Sequence, residues 1–293
     1  MLVGCRRGAG PEQAGSWQGR RVDRQRVHGQ PLPSPRPQLR ALGRRPQKRL
    51  SQSFLNDQRV AAAIVRAARL TPSTEVLEVG PGLGVLTRLL AKRARRVVAV
   101  EIDPALAETL RSELTNRVEV VNQDILEFEP TEHFTRPYTV VANLPYHITS
   151  PALRHLLAGS AERLVVMVQA EVAQRITAKP GEMSALAVTT QVQARVQIAR
   201  HVSAEAFYPR PRVDSAVLTL EPCAMLPRSE IGPFTALVQA GFKQPRKTLA
   251  NSLSEGLQVP KTQAIERLNA VDIDPGRRPQ ELGVEDWLRL FRF

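Results

Sequence analysis

Three closely spaced glycines could form a turn against which a ligand packs. Gly80, Gly82 and Gly84 follow an apolar run, Glu75–Gly80, and precede a segment with helical spacing that begins at Val85. Glycine is needed where the backbone turns sharply and must approach a ligand without a Cβ in the way. In the fingerprint of dinucleotide-binding proteins, the third glycine would stand where this chain has Val85. The spacing therefore indicates a ligand-binding turn between a strand and a helix, and it disfavours an NAD site.

Acidic residues end the next two predicted strands. Glu101 lies about twenty residues after the glycine turn, where a carboxylate can accept hydrogen bonds from both hydroxyls of a ribose. Asp124 ends the following strand and could accept a hydrogen bond from the exocyclic amine of an adenine. Because doubly wound sheets bind ligands at the carboxyl ends of their strands, we expect these groups to surround one site. Together with Glu78, the glycines form E-x-G-x-G-x-G, which resembles the first motif of S-adenosylmethionine methyltransferases.

The fourth predicted strand is followed by a segment that could act on an amino group, Asn143-Leu144-Pro145-Tyr146. The amine of adenine is a poor nucleophile because its lone pair is delocalised into the ring. Asn143 supplies a side-chain carbonyl and the Leu144–Pro145 backbone supplies a second acceptor, so both N–H groups could be held. Pro145 has no N–H and stiffens the loop, and Tyr146 supplies a ring on which the base stacks, worth ~1–3 kcal/mol. The residues by themselves predict methylation of an adenine amine by positioning and electrostatic stabilisation.

The pattern of apolar residues predicts the elements that carry these groups. Short β-rich runs alternate with helical segments, which is typical of a parallel, doubly wound α/β sheet. We predict strands at Glu75–Gly80, Arg96–Ile102, Val118–Asn122, Tyr138–Ala142 and Arg163–Gln169, and helices at Val60–Leu70, Val85–Ala94, Pro104–Leu114 and Pro151–Ala158. Two further runs, Val196–Val202 and Val213–Leu220, have no helix between them and suggest an antiparallel hairpin at one edge.

After Pro222 the pattern is helical only, with predicted helices at Pro233–Phe242, Lys247–Leu253, Lys261–Asn269 and Glu285–Phe291. The predicted fold class is therefore α/β, a doubly wound (Rossmann-like) methyltransferase sheet with an antiparallel edge, plus a small all-helical C-terminal domain. We place the methyltransferase domain at residues 44–222 and the helical domain at residues 223–293.

Most of the positive charge lies in the first fifty of the 293 residues. The formal net charge is +13, and residues 1–50 carry +10 of it. Residues 1–43 are rich in arginine and proline and have no apolar period, so we predict a disordered basic extension. Three interpretations of it stay open: an RNA-binding arm, a transit peptide, or an upstream stretch included by the choice of start site, which we favour.

Composition also bounds the location and the cofactors. Apolar residues make up 42% of the chain, but no run approaches the ~18–20 residues that a membrane helix needs. We therefore expect a soluble, cytoplasmic protein with no membrane partner. The five histidines and two cysteines show no metal-ligand spacing, so we expect no metal.

From about Pro46 to the C-terminus, the sequence resembles the KsgA-type ribosomal RNA small-subunit adenine N6-dimethyltransferases. Besides the motifs above, three segments carry the resemblance: Gln52-Ser53-Phe54-Leu55, the ten residues from Phe207 to Ala216 (FYPRPRVDSA), and the eight from Phe242 to Leu249 (FKQPRKTL). Each segment alone is a weak signal. Their ordered combination over nearly the whole predicted folded region is specific.

The resemblance implies a reaction and assigns roles to residues. It implies two successive methyl transfers from S-adenosylmethionine, leaving S-adenosylhomocysteine, to N6 of each of two adjacent adenines near the 3′ end of small-subunit (16S-type) rRNA, in ribosome biogenesis. It implies cofactor contacts by Ser53, Leu55, Gly80, Gly82, Glu101, Asp124 and Asn143. It also implies catalysis by Asn143, Leu144, Pro145 and Tyr146, with Phe207 stacking on the target base opposite Tyr146.

The RNA partner would be held outside this site by positive charges. Arg210, Arg212, Arg246 and Lys247 could form a phosphate-binding patch beside the base-binding cleft. The helical domain would help grip structured RNA by its shape and backbone. We expect the chain to act as a monomer on small-subunit rRNA in the immature small ribosomal subunit.

The sequence departs from the family pattern at three places. Ser53 stands where the family usually has Asn or His, Met183-Ser184-Ala185-Leu186 lacks the usual aromatic residue and glycine, and Pro245 replaces a basic residue. None of these positions donates a catalytic acceptor. We therefore expect activity to survive.

Three other functions remain to be tested. An Erm-like enzyme would use the same site on large-subunit rRNA, but the D-S-A ending at Ala216 and the segment 246–249 favour the KsgA type. A DNA adenine methyltransferase usually has D/N-P-P-Y where this chain has N-L-P-Y. A non-catalytic RNA-binding assembly or transcription factor is disfavoured by the intact Glu101, Asp124, Asn143 and Tyr146.

Overall fold

The computed structural model describes residues 34–47, 52–114 and 116–293. Its strands are β1 (Phe54–Leu55), β2 (Glu75–Val79), β3 (Arg96–Glu101), β4 (Val118–Asn122), β5 (Tyr138–Asn143), β6 (Ala161–Gln169), β7 (Ala194–Val202), β8 (Phe207–Tyr208) and β9 (Ser215–Pro222). Its α-helices are α1 (Pro35–Ala41), α2 (Gln58–Ala67), α3 (Val85–Ala91), α4 (Pro104–Glu113), α5 (Thr149–Ala158), α6 (Ala170–Ile176), α7 (Ala185–Gln191), α8 (Arg228–Gly241), α9 (Leu249–Leu257), α10 (Lys261–Ala270) and α11 (Val284–Arg292).

Seven strands form one sheet in the order β4-β3-β2-β5-β6-β9-β7. The first five lie parallel to one another, and β9 pairs antiparallel with both β6 and β7. The predicted fold class, including the antiparallel edge, is confirmed. The chain runs outward from β2 to β4 and then returns to β5 on the other side of β2. This reversal leaves a crevice at the carboxyl ends of β2 and β5, where sheets of this kind bind ligands.

Both faces of the sheet are covered, which explains its valine-rich strands. Along β2, Leu77 and Val79 pack into a core that includes α5, while Val76 packs into a core on the opposite face with α2 and α3. Helix α2 begins at Gln58, two residues before the predicted start at Val60, because the Asp57 side chain accepts hydrogen bonds from the backbone N–H groups of Arg59 and Val60.

The C-terminal helices pack around a separate core. Trp287 and Phe234 lie at its centre with no exposed surface, and Phe242 stacks on the Trp287 ring at 5.5 Å. This core also takes Met183 and Val188 from the segment between β6 and β7. The domain boundary between residues 222 and 223 stays a prediction. Residues 183–192 precede that boundary in the sequence, yet they contribute to the core of the C-terminal helices.

Two short helices between β6 and β7, α6 and α7, were not predicted, and neither was the pairing of β1 with β8.

The prediction of disorder for residues 1–43 falls mostly outside the described residues. Within residues 34–43 it is wrong, because Pro35–Ala41 form α1 and Leu39 is 4% exposed. In the part of the chain that the structure describes, no helix is long and apolar enough to cross a membrane.

Candidate active site

The glycine turn joins β2 to α3 and forms one wall of the crevice. Gly80, Gly82 and Gly84 have φ values of +67°, +58° and +74°, a region that side chains with a Cβ rarely adopt. A Cβ on Gly82 would lie 3.2 Å from the Phe54 ring, and one on Gly84 would lie 2.7 Å from Leu110. All three glycines are therefore required by the backbone, as the spacing predicted.

Glu101 is held against this turn at the end of β3. Its Oε2 atom accepts a hydrogen bond from the Gly82 N–H at 3.0 Å, and its Oε1 atom accepts one from the Asp103 N–H at 2.9 Å. Burial raises the pKa of Glu101 above its ordinary value, while these two hydrogen bonds act in the opposite direction. The carboxylate therefore has a defined orientation at the edge of the crevice, as a ribose-binding group requires.

Glu78 lies deeper in the crevice and was not predicted as a site residue. It is 1% exposed, and burial raises its pKa to about 8, with a smaller contribution from the nearby Glu101. The Thr87 side chain and backbone lie against this carboxyl and act to lower its pKa, but its Oε2 atom makes no hydrogen bond of ordinary geometry to a described residue. A buried acceptor without a partner is costly, and a positively charged ligand group would satisfy it. The acid in the glycine motif was the available signal for this residue.

The crevice is an open cleft. Its lining includes Asp124, whose Oδ1 atom accepts a hydrogen bond from the Leu126 N–H at 2.9 Å. The structure brings together all the predicted cofactor-binding and catalytic residues along this one cleft: Ser53, Leu55, Gly80, Gly82, Glu101, Asp124, Asn143, Leu144, Pro145, Tyr146 and Phe207.

The two-stranded ribbon of β1 and β8 lines the cleft beside the glycine turn, with the Phe54 ring close to Gly82. Phe54 pairs with Tyr208 and Leu55 pairs with Phe207, so two segments about 150 residues apart form one wall. Phe207 is 5% exposed and lines the cleft. The peptide bond between Tyr208 and Pro209 is cis. The resemblance supplied both segments, and the structure adds that they pair with each other.

Asn143 ends β5 directly beside the glycine turn, since Val79 and Ala142 are partners in the sheet. Its Nδ2 atom donates a hydrogen bond to the Ser53 carbonyl at 3.3 Å. This contact orients the amide so that its Oδ1 acceptor is left for another group. The following loop is held by the Leu144 N–H, which donates to the Met167 carbonyl at 3.1 Å.

The backbone acceptors of this loop are not equivalent. The Pro145 carbonyl already accepts hydrogen bonds from the Ile148 N–H at 3.2 Å and from the Thr149 hydroxyl at 3.3 Å. Among the hydrogen bonds between described residues, the Leu144 carbonyl accepts none. The acceptor that stands available beside Asn143 is therefore that of Leu144.

Tyr146 begins a 3₁₀ turn after this loop and is anchored at its far end. Its hydroxyl lies 3.1 Å from the Ser215 hydroxyl, and burial raises its pKa. An anchored phenol cannot swing out of the cleft freely, so the ring is presented as a rigid face. Aromatic rings in this role gain stacking energy with a nucleobase at little entropic cost.

The four predicted phosphate-binding residues lie outside the cleft and are exposed. Arg210 and Arg212 follow β8 and so adjoin Phe207, and Arg210 forms an exposed ion pair with Glu205 at 3.4 Å. Arg246 and Lys247 lie between α8 and α9. The two pairs are thus carried by different parts of the chain, one beside the ribbon of β1 and β8 and the other among the C-terminal helices.

The residues present fit S-adenosylmethionine and give no support for a metal. The unpartnered Glu78 oxygen suits a positively charged amino group, and Glu101 suits a ribose. Within residues 34–47, 52–114 and 116–293, no group of three or more His, Cys, Asp or Glu side chains could hold a metal ion.

Three features define an S-adenosylmethionine-dependent methyltransferase. They are the crevice where the strand order reverses, the glycine turn, and the acidic residues at the strand ends. The model of the family described as "Ribosomal RNA adenine dimethylase" matches residues 43–293. The chain belongs to this family and is an rRNA methyltransferase. The predicted resemblance and enzyme class are thereby confirmed.

Relatives and solved structures agree with this assignment. "Ribosomal RNA small subunit methyltransferase A" of Dehalococcoides mccartyi is 42% identical over 252 residues, covering 83% of this chain and 86% of the relative. The protein of the same name from Desulfitobacterium hafniense is 42% identical over 253 residues, covering 84% and 91%. A dimethyladenosine transferase from Plasmodium falciparum has a TM-score of 0.69 at 26% identity, covering 81% and 95%. The 23S rRNA methyltransferase ErmE has a TM-score of 0.65 at 34% identity, covering 82% and 98%.

Proposed function

We propose that this chain dimethylates N6 of two adjacent adenines near the 3′ end of small-subunit rRNA during assembly of the small ribosomal subunit. The observation that carries the proposal is the paired acceptor site at the end of β5. There the Asn143 amide is anchored through its nitrogen, and its oxygen and the Leu144 carbonyl stand available on the same loop.

These acceptors act on the nucleophile. An adenine amine has two N–H groups, and holding both of them favours a nitrogen whose lone pair is no longer delocalised into the ring. Tyr146 and Phe207 line the same cleft and hold the extruded base by stacking. When bound, S-adenosylmethionine supplies a methyl group activated by its positively charged sulfur. The amine nitrogen forms a bond to the methyl carbon as the bond between that carbon and sulfur breaks, which leaves the neutral thioether S-adenosylhomocysteine. The nitrogen then releases one proton to water, so neither an oxidant nor a covalent enzyme intermediate is needed.

The cofactor would be held by the groups on the glycine-turn side of the cleft. Glu101 would accept hydrogen bonds from the ribose, Asp124 would accept one from the adenine, and Glu78 would face the amino group. The Gly80 backbone, Leu55 and the Ser53 segment complete this wall. Ser53 uses its carbonyl to orient Asn143, a contact that does not depend on the side chain at this position.

We further propose that residues 44–222 form the methyltransferase domain and residues 223–293 form an RNA-binding domain. Arg210 and Arg212 would contact phosphates next to the target base, and Arg246 and Lys247 would contact RNA from the helical side. Met183 is 4% exposed and belongs to the helical core, so the departure from the family pattern there serves packing in this chain.

We favour small-subunit rRNA over large-subunit rRNA as the substrate. The relatives named for the small subunit are 42% identical to this chain, whereas the 23S enzyme is 34% identical. The experiment incubates the protein with tritiated S-adenosylmethionine and either immature small subunits or large-subunit rRNA. We expect dimethyladenosine in the small-subunit rRNA. Label in large-subunit rRNA would instead indicate an Erm-like enzyme, and cofactor binding without transfer would indicate an RNA-binding assembly factor.

The role of Asn143 is tested by Asn143→Ala. We expect methyl transfer to fall at least 100-fold, about 3 kcal/mol of transition-state stabilisation, while RNA binding is retained. Asn269→Ala changes an exposed asparagine on α10 and serves as the control. Single-turnover transfer and RNA binding are measured on both variants. Undiminished transfer by Asn143→Ala would refute the assigned role.

A further inference from the structure

The segment before the methyltransferase core is docked on the cofactor side of the cleft. We call residues 34–47 the N-terminal strap. Its helix α1 buries Leu39 among Phe54, Leu83 and Leu106, three residues that also line the cleft. The Arg36 guanidinium lies 4.9 Å from the centre of the Tyr208 ring. The strap is therefore in direct contact with residues that form the cofactor pocket.

After α1, the strap makes a charged contact with Asp103. One nitrogen of the Arg44 guanidinium lies 3.0 Å and 2.7 Å from the two carboxylate oxygens of Asp103, whose side chain is only 1% exposed. Gln47 adds a hydrogen bond to the same carboxylate at 2.8 Å. Removing a partner from a buried ion pair is strongly destabilising, because it leaves a buried charge without compensation.

Asp103 connects the strap to the cofactor-binding carboxylate. Its side chain caps α4 by accepting a hydrogen bond from the Ala105 N–H at 3.1 Å. Its own N–H donates to Glu101 Oε1 at 2.9 Å, while Gly82 holds Oε2. The contacts therefore run without a break from Arg44 through Asp103 to Glu101.

We propose that Arg44 is a positioning residue for cofactor binding, acting through Asp103 to hold the Glu101 carboxylate in the orientation that receives the ribose. This inference rests on the proposed role of Glu101. Outer partners of this kind commonly set the geometry of a binding group that they do not themselves replace.

The effect of removing Arg44 follows from the charges. The backbone N–H of Asp103 donates a hydrogen bond to the Glu101 carboxylate, and Arg44 is the arginine that pairs with the Asp103 side chain in the described ranges. Without it, Asp103 would relieve its buried charge by turning toward water. The N–H of residue 103 would then no longer be held against Glu101, and the ribose-binding carboxylate would lose one of its two anchors.

The test compares Arg44→Ala with Arg45→Ala, a matched control in which the neighbouring exposed arginine of the strap is removed. The probe is S-adenosylhomocysteine, and its binding to the full-length protein is measured by calorimetry without RNA. We expect Arg44→Ala to bind about tenfold more weakly and Arg45→Ala to bind within twofold of the parent. In methyl transfer, the KM for S-adenosylmethionine should rise while kcat and the KM for RNA stay near their parental values.

Further variants separate positioning from loss of folding. Arg44→Lys keeps the charge and should restore part of the affinity, whereas Arg44→Gln keeps donors without charge and should restore less. In an Asp103→Asn background, Arg44→Ala should cause little further loss, because the route through Asp103 is already cut. Thermal unfolding of each variant confirms that it is folded.

The outcomes distinguish this inference from the function on which it rests. If Glu101→Ala binds S-adenosylhomocysteine like the parent, the role of Glu101 is wrong and so is the route from Arg44. If Glu101→Ala binds weakly but Arg44→Ala binds like the parent, only the inference about Arg44 is overturned.

Discussion

Glu78 shows how the chemistry of this site depends on burial as well as on residue type. Glu78 lies on β2 inside the crevice with 1% exposure, and desolvation raises its pKa to about 8. In the absence of a positively charged ligand, the neutral form is favoured below that pH. The sequence showed an acid in the glycine motif, but the burial that changes its protonation comes from the packing of α3 and the neighbouring strands.

We expect Glu78 to make stability depend on pH. Its folded pKa of about 8 lies above the ordinary value of 4.5, so its favourable contribution is present below about pH 4.5 and is lost as pH rises through about 8. Relative to Glu78→Gln, the free energy of unfolding of the ligand-free parent should fall across this window, by up to about 1.4 kcal/mol per pH unit. Urea unfolding at a series of pH values measures this difference.

Glu127→Gln is the control for this prediction, because Glu127 is an exposed glutamate. Its unfolding free energy should follow that of the parent at each pH. If the Glu78→Gln and parent curves also run parallel, then burial does not hold a proton on Glu78.

The residue types at the reacting end were predictable, but their orientations were not. The sequence identified Asn143 and an acceptor in the Leu144–Pro145 backbone. It could not show that Ser53 holds the Asn143 amide nitrogen, or that Ile148 and Thr149 occupy the Pro145 carbonyl. These facts depend on contacts between residues brought together by the fold.

At the scale of elements, the regular strands and helices were predicted because they carry long patterns of apolar residues. Helices α6 and α7 have seven residues each, about two turns, which is too short for a helical period to stand out. Strand β1 has two residues, and it pairs with β8 across about 150 residues of chain. No local pattern encodes such a pairing.

Helix α1 shows why proline was misinterpreted as a sign of disorder. Pro35 stands at the start of the helix, where its missing N–H costs nothing. The helix is then held in place by the burial of Leu39 rather than by its own propensity. The tertiary contact, which the sequence does not display, decides the outcome.

The glycine turn supplies a prediction at this scale. Gly82→Ala would place a Cβ 3.2 Å from Phe54 in a backbone conformation with φ of +58°. The turn should shift, the hydrogen bond from the N–H of residue 82 to Glu101 should weaken, and affinity for S-adenosylhomocysteine should fall about tenfold or more. Calorimetric titration of the purified variant measures the loss.

Gly232→Ala provides the comparison, since a Cβ at this position in α8 would meet open space. It should leave cofactor affinity unchanged and raise stability by about 0.5–1 kcal/mol. Equal affinities for the Gly82→Ala variant and the parent would show that the turn tolerates a side chain.

At the scale of the whole molecule, positive charge outside the cleft should control how RNA is held. Removing Arg210, Arg212, Arg246 or Lys247 by substitution with alanine should weaken RNA binding. It should also reduce the slope of log K against log[salt] by about one for each phosphate that is no longer neutralised. Filter binding over a range of salt concentrations measures both effects, and calorimetry should show unchanged cofactor binding.

Arg93→Ala is a suitable control, because Arg93 is an exposed arginine near the end of α3. Its substitution should leave the salt dependence unchanged. If alanine substitution of the four basic residues leaves both the RNA affinity and the salt slope at their parental values, the RNA binds elsewhere on the surface.

Helix α7 belongs to both parts of the molecule, since Leu186 packs against the sheet while Ala187 and Val188 lie in the helical core. Helix α7 thus connects the core of the C-terminal helices to the core of the sheet. On the proposed RNA-binding role of those helices, the distance between them and the loop at the end of β5 is fixed by this packing. We therefore expect the enzyme to select its adenines by their distance from the bound part of a folded RNA, and a change in that distance in the RNA should abolish methylation.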